Sequence, residues 1–403
     1  MSLLQREGAL SIYKGARCRH VPECGGCSCQ QFDYAEQIRS KEERLHALFS
    51  GLAPVRPLIP CEDPWRYRNK MEFSFSQNKA GDRFLGLIIA KSRGYVLNLH
   101  ECHLVAPWFI EVVQAVYCWW EKSGLAAYRL NDTGSLRTLI VREGAGTGDK
   151  LVMLTVSGNP QFALKKEHMQ EFVRAVQSIA PTASIFLRVQ QIRKGCETQF
   201  FEMHLAGADH LTEKCFVAGR EYTFKISPSS FFQPNTHMAE KIYTEVLQRL
   251  PAFSAHILDL YSGIGTLGII AAERAKLVSC IELNPYAVYD AECNREQNGA
   301  AHCLMYKGDV GKVLSTLQNG AGWIAPDVVI VDPPRSGLDK HALKHLVDLR
   351  PKEIIYISCH AATQKENCLF LAQEGYVVDS IQPLDQFPHT VHVETIAHLK
   401  TSK

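Results

Sequence analysis

Residues 257–272 read I257-L-D-L-Y-S-G-I-G-T-L-G-I-I-A-A272. A run of buried-type residues ends at Leu260, a Gly-rich turn follows, and a second apolar run has helical spacing. This is strand, tight turn, helix, the opening unit of a parallel α/β sheet. Gly263, Gly265 and Gly268 fit G-x-G-x-x-G, and Glu282 closes the next strand about 20 residues on. These features alone fit a dinucleotide fold. Asp259 argues for a different ligand. An anion at the strand end suits a cationic cofactor and opposes a pyrophosphate seeking the helix N-terminus. The expected cofactor is S-adenosylmethionine, a sulfonium with an α-ammonium, and Glu282 is placed to hold its ribose hydroxyls.

Strand–helix alternation continues downstream. Val328–Val331 is a buried strand ending in D332-P-P-R-S-G337, where two prolines fix the turn and present Asp332 at the sheet edge. Amino-methylating enzymes carry an aromatic after a similar Asp-Pro-Pro; Arg335 stands there instead, against an exocyclic amine as target. Ile354–Ser358 is another buried strand, followed by Cys359 and a helical segment from about Thr363. Cys359 thus lies at the carboxyl end of a strand, where open α/β sheets place their ligands, and the helix N-terminus is expected to favour its thiolate. A last strand over 391–399 carries Glu394 among apolar neighbours, where burial raises a carboxyl pKa and leaves a useful base. His389 and His392 read as structural or substrate-facing.

Upstream, S-P-S-S-F-F-Q-P-N (227–235) is a punctuated loop before a helix over about 234–250, and the domain change is placed near residue 222. Residues 18–30, C-R-H-V-P-E-C-G-G-C-S-C-Q, hold Cys18, Cys24 and Cys27 as C-x5-C-x2-C. Such density predicts a metal or cluster, with Cys29, Cys61 and Cys102 as candidate fourth ligands. W65-R-Y-R-N-K-M-E-F-S-F-S76 mixes Arg66, Arg68 and Lys70 with Trp65 and Tyr67, a pattern able to grip phosphates and stack bases, then alternates Met71, Phe73 and Phe75 as a half-buried strand. Further strands are read at 84–90, 94–100, 136–142 and 150–157, and helices at 35–49, 107–123 and 163–178. Arg137 and Arg142 add positive charge.

The chain has 403 residues, 46% apolar and 21% charged, and a net charge of only +2. Residues 1–220 carry 28 Lys+Arg against 22 Asp+Glu, and residues 221–403 carry 16 against 20. A basic front half suits a polyanion held by one domain while another does chemistry. Fourteen Cys without a visible signal peptide or apolar span suggest a reduced, cytoplasmic protein without a disulfide framework.

Together these motifs resemble the RNA 5-methyluridine (uracil-5-) methyltransferase family, most closely the iron–sulfur members acting on 23S ribosomal RNA. The resemblance rests on C-x5-C-G-G-C, Y-R-N-K (67–70), F-F-Q-P-N (231–235), L-D-L-Y-S-G (258–263), V-D-P-P-R (331–335), S-C (358–359) and F-P-H-T-x-H-x-E (387–394). It implies a 4Fe-4S cluster on Cys18, Cys24, Cys27 and Cys102. It further implies S-adenosylmethionine contacts from Gln233, Tyr261, Thr266, Glu282, Asp309 and Asp332, with Cys359 as nucleophile and Glu394 as base. The expected organisation is a Cys-rich segment (1–34, completed by Cys102), an α/β RNA-binding domain (35–222) and a Rossmann-like methyltransferase domain (223–403), without the small β-barrel that some members carry ahead of the cluster. The expected partner is RNA, ribosomal before transfer RNA, and the expected state a monomer. Family members often read S-C-N-P where this chain reads S-C-H-A. The rival readings are a nicotinamide oxidoreductase, which leaves D-P-P-R and Cys359 without a role, a cytosine C5 methyltransferase acting on RNA, which would carry a Cys within the Asp332-Pro-Pro motif, and a non-catalytic RNA-binding protein.

Overall fold

The structure is a computed structural model that describes residues 17–193 and 195–402. The first sixteen residues of the expected 1–34 segment therefore lie outside the described residues. The described residues divide into two compact units, one of residues 17–33 with 63–212, the other of residues 34–62 with 213–402. This differs from the expected division at two places. Helix α1 (Tyr34–Phe49) groups with the second unit because Leu45 and Phe49 enter that unit's core beside Leu258, Val331 and Ile381. The expected change near residue 222 falls inside a strand (Arg220–Ile226) whose backbone is held by Asn294 and Asn298 of the second unit.

The first unit is built on a seven-stranded sheet in the order β3-β2-β1-β4-β5-β6-β7. The strands are β1 (Lys70–Gln77), β2 (Arg83–Ile88), β3 (Val96–Asn98), β4 (Leu136–Glu143), β5 (Lys150–Ser157), β6 (Ser184–Gln191) and β7 (Gln199–Ala206). Period-two alternation puts Met71, Phe73 and Phe75 on one face, 4%, 0% and 6% exposed. There they share a core with Val112, Val116 and Trp120 of α2 (Pro107–Ser123) and Phe172 of α3 (Lys166–Gln177). The helix and strand readings over 35–49, 107–123, 136–142 and 150–157 match these elements closely. Strands β6 and β7 had not been anticipated.

The second unit contains a hairpin of β8 (Leu211–Val217) and β9 (Arg220–Ile226), helix α4 (Thr236–Arg249) and a second seven-stranded sheet. Its strands are β10 (Ser254–Leu260), β11 (Ala275–Glu282), β12 (Cys303–Lys307), β13 (Val328–Val331), β14 (Glu353–Ser358), β15 (Tyr376–Leu384) and β16 (Glu394–Thr401). The order is β12-β11-β10-β13-β14-β16-β15. Strands β10 to β14 pair in parallel, and β16 inserts antiparallel between β14 and β15. Helices α5 (Thr266–Ala271), α6 (Pro285–Gln297), α7 (Val310–Gln318), α8 (Lys340–Leu349) and α9 (Ala361–Gln373) alternate with the strands. The order reverses between β10 and β13, the switch point where such sheets bind ligands. No helix among the described residues is long and apolar enough to cross a membrane.

Candidate active site

The topology alone brings the expected site residues to one edge of the second sheet. Glu282 ends β11, while Tyr261, Asp332 and Cys359 directly follow β10, β13 and β14. Because β16 runs antiparallel to β14, its first residues lie at that same edge. Thr395 is the register partner of Ser358, so Glu394 and Cys359 flank a paired position. Glu394 is 2% exposed and Cys359 half-buried.

These groups sense one another. Burial pushes the Cys359 thiol up, the Glu394 and Asp332 carboxyls add to the rise, and the Arg335 guanidinium, within reach to donate to the sulfur, opposes it. Burial thus opposes the thiolate that the helix N-terminus was expected to favour. Burial holds the Glu394 carboxyl well above the usual range, Asp332 pushes it further and Arg335 pulls it back. Burial lifts Asp332 to about 7. One guanidinium, that of Arg335, therefore acts on both Cys359 and Glu394, which the sequence alone does not reveal. The S-C-H-A departure has a local explanation. His360 is the N-cap of α9, its side chain accepting from Thr363 N–H, and Ala361 opens the helix. An Asn-Pro pair suits the same two positions.

The Gly-rich turn forms the other wall. Gly263 has φ +54, and a Cβ there would meet nothing within 4 Å, so the backbone faces open space. Its N–H donates to Glu282 Oε2 at 3.0 Å, and Asn284 N–H to Oε1 at 2.8 Å. Tyr261 adopts φ 63, a left-handed conformation rare for an aromatic residue. Tyr261 and Asp309 line a cavity of about 500 Å³ with Gly311, Lys312, Asp339 and His345. Asp309 is also the N-cap of α7. Thr266 opens α5 and hydrogen-bonds the buried Tyr243 hydroxyl.

Asp259 requires a correction. It is fully buried and its Oδ2 accepts from Gly268 N–H at 2.8 Å, so it caps the first turn of α5 from beneath. Burial lifts its carboxyl to about 8. Burial thus favours its neutral form, so its charge does not argue for a cationic ligand. Gly268 is needed there because a Cβ would meet Cys280 Sγ at 2.2 Å.

The loop before α4 is fixed by hydroxyls. Ser227 and Ser230 donate to the buried Asp290 of α6, and Asn235 rather than Pro234 caps α4. Gln233 then donates to Asp332 Oδ2 at 3.5 Å and accepts from Gln386 Nε2 at 3.0 Å. The 385–391 loop that leads into Glu394 rests on one face of α1. Tyr34 and Lys41 bond Asp385, Gln37 bonds the ring and backbone N–H of His389, and Arg44 donates to Val391 O. His389, 3% exposed, is therefore a packing residue. The sequence offered no signal for this face, since the i, i+3, i+7 residues of α1 bond partners about 350 positions away.

In the first unit, Cys18, Cys24, Cys27 and Cys102 lie close enough to act on one another. Burial first, then the neighbouring thiols, lifts Cys27 to about 12, and burial lifts Cys18 to about 11. Gly26 N–H donates to Cys24 Sγ and Gln30 Nε2 to Cys27 Sγ. Cys61 belongs to the second unit, where Asn235 donates to its sulfur. Among the described residues no group of three or more His, Cys, Asp or Glu is closed up as a metal site. Of the basic stretch, Tyr67 is 5% exposed and packs inside. Lys70 is pushed down to about 8 by burial and by Arg142, Arg188 and Arg68.

The comparisons with known proteins agree with this geometry. The sequence model of the tRNA (uracil-5-)-methyltransferase family matches residues 166–307 and 323–402. An uncharacterized RNA methyltransferase of Protochlamydia amoebophila is 46% identical over 401 residues, 95% of this chain and 90% of the relative. One of Chlamydia trachomatis is 37% identical over 399 residues, covering 97% and 99%. The fold is similar to that of the Pyrococcus abyssi tRNA (uracil-54, C5)-methyltransferase crystallised with S-adenosyl-L-homocysteine, at a TM-score of 0.69 and 24% identity over 94% of this chain and 86% of that one. Family match, full-length relatives and shared fold lead to one conclusion: the chain belongs to the tRNA (uracil-5-)-methyltransferase family.

Proposed function

We propose that this RNA methyltransferase methylates C5 of a uracil, with Cys359 as nucleophile and Glu394 as base. The observation that carries the reading is the meeting of Cys359, Glu394, Asp332 and Arg335 at the carboxyl edge of the second sheet, beside the Gly-rich turn. Arg335 favours the ionised forms of both Cys359 and Glu394. The Cys359 thiolate bonds to C6, and the C5=C6 π electrons shift onto C5 and O4. S-adenosylmethionine, when bound, would supply an electrophilic sulfonium methyl group for C5, its S–CH3 bond breaking to leave S-adenosylhomocysteine. A Glu394 oxygen then takes the C5 proton, the C5=C6 bond re-forms, and the C6–S bond breaks to return the thiolate. Gln233, Tyr261, Thr266, Glu282, Asp309 and Asp332 hold the methyl donor. The open backbone at Gly263 and the Glu282 carboxylate beside it fit a ligand with a ribose.

The first unit is read as the RNA-holding part, with Arg66, Arg68, Lys70 and Arg137 taking phosphates. The target uridine must leave its stack, at a cost of a few kcal/mol. Cys18, Cys24, Cys27 and Cys102 form an all-sulfur donor set that fits a 4Fe-4S cluster and no hard cation. The cluster, when bound, ties the Cys-rich segment to the loop of Cys102 and orders the unit; the chemistry asks for no electron transfer. The four-Cys set favours 23S ribosomal RNA, with the T-loop uridine of tRNA as the alternative. The protein acts as a cytoplasmic monomer on this reading. Incubation with methyl-labelled S-adenosylmethionine and transcripts of 23S ribosomal RNA or tRNA, followed by nuclease digestion, tests it. Label in 5-methyluridine is expected; label in another nucleoside, or none, rejects it.

A further inference from the structure

The first unit holds a cavity of its own, about 210 Å³, at the carboxyl ends of β5 and β6. Its lining includes Asp132, Arg137, Gly158, Asn159, Gln190 and Gln191. Gly158 lets the end of β5 pass close to β6: a Cβ there would meet Gln191 Cα at 2.9 Å. The Arg137 guanidinium lies over the Tyr128 ring, 3.7 Å from its centroid. Its Nη1 is buried and has no hydrogen-bond partner among the described residues. Leaving such a donor unmet costs about 1–3 kcal/mol. Asp132, the carboxylate in the same lining, is bonded instead by Asn159, whose Nδ2 donates to its Oδ2 at 3.1 Å. The arrangement is short of an acceptor that the described residues do not supply.

The surroundings specify the kind of acceptor. Arg188 sits over the Phe200 ring at 5.0 Å, and Phe200 is the register partner of Gln190. Phe200, Phe201 and Ile192 are 44%, 54% and 50% exposed. A planar cation stacked on a ring and three amide side chains, Asn159, Gln190 and Gln191, able to donate and accept, are the chemistry that recognises a nucleobase and its phosphate. Paired bases hide their hydrogen-bonding edges, so the ligand is an unpaired nucleotide.

We propose that this cavity receives one unpaired nucleotide of the RNA substrate, other than the uridine that meets Cys359, with Arg137 donating to it. The proposal rests on the RNA methyltransferase reading. It is tested on the full chain with an oligouridylate carrying a single 4-thiouridine, cross-linked by near-ultraviolet light and mapped by mass spectrometry. Cross-links within residues 128–137 or 190–201 are expected, besides any near Cys359. Arg137→Met and Arg137→Lys should weaken binding of the same RNA about tenfold, the lysine failing because it lacks the planar fork. If wild-type protein binds RNA but cross-links only elsewhere, or both variants bind as tightly as wild type, the pocket is refuted and the methylation reading stands. If wild-type protein neither binds RNA nor transfers methyl, both fall. Should the variants fail to fold, the wild-type map decides alone.

Discussion

The Lys41 ammonium lies 2.6 Å from Asp385 Oδ1, in a pair whose side chains are only 4% and 0% exposed. Tyr34 donates to the other carboxylate oxygen at 2.8 Å. The pair pins α1 to the loop that delivers Glu394. Lys41→Met leaves a buried carboxylate with one partner fewer and should cost about 3–5 kcal/mol in urea unfolding. The double variant Lys41→Met/Asp385→Leu should recover most of that loss. Equal stability of wild type and Lys41→Met would remove the brace.

Arg335 opposes the rise of the Cys359 thiol. Arg335→Gln should shift the pH profile of iodoacetamide alkylation at Cys359 upward by about one pH unit, and Arg335→Lys should shift it less. The modified peptide identifies the site among the other thiols. An unchanged profile would mean that the guanidinium does not govern the thiol.

Asp259 is held at about 8 in the folded protein, against about 3.9 in an unfolded chain. The folded state binds that proton more tightly. Its contribution to stability is complete below the unfolded value, shrinks as pH rises and is gone above about 8. Asp259→Asn, which keeps an acceptor for Gly268 N–H, should match wild type in thermal melting near pH 4 and exceed it near pH 9. Parallel melting curves for the two proteins across that range would contradict the assignment.

Cys18, Cys24, Cys27 and Cys102 of the first unit lead to a prediction about metal content. Anaerobically purified protein should contain iron and acid-labile sulfide, and Cys102→Ser should lose most of both. Cys61→Ser should keep them, since Cys61 sits in the other unit beside Asn235. Zinc in place of iron would overturn the cluster.

What the sequence made legible was the carboxyl edge of the second sheet. Each of its motifs is local: a strand followed at once by Tyr261, Asp332 or Cys359, with glycine or proline fixing the turn. Parallel topology then assembles them without further information. Three features escaped because they depend on distant or facing partners. α1 joins the second unit through partners near residue 390. Asp259 was read as facing a ligand, but strand parity turns it towards Gly268 in the core. β7 was missed because its residues are exposed on both faces along an edge, which blurs the two-residue alternation. The Cys359 thiol was expected to be acidic from its place before a helix; the burial that opposes this is a tertiary quantity.

The central claim is a transient bond between Cys359 and a uracil ring. It is tested most directly with Glu394→Gln, incubated with S-adenosylmethionine and end-labelled substrate RNA and run on a denaturing protein gel. The account predicts a labelled band shifted to the mass of protein plus RNA, lost when Cys359→Ala is combined with Glu394→Gln. Normal methylation of the same RNA by the Cys359→Ala protein would contradict it.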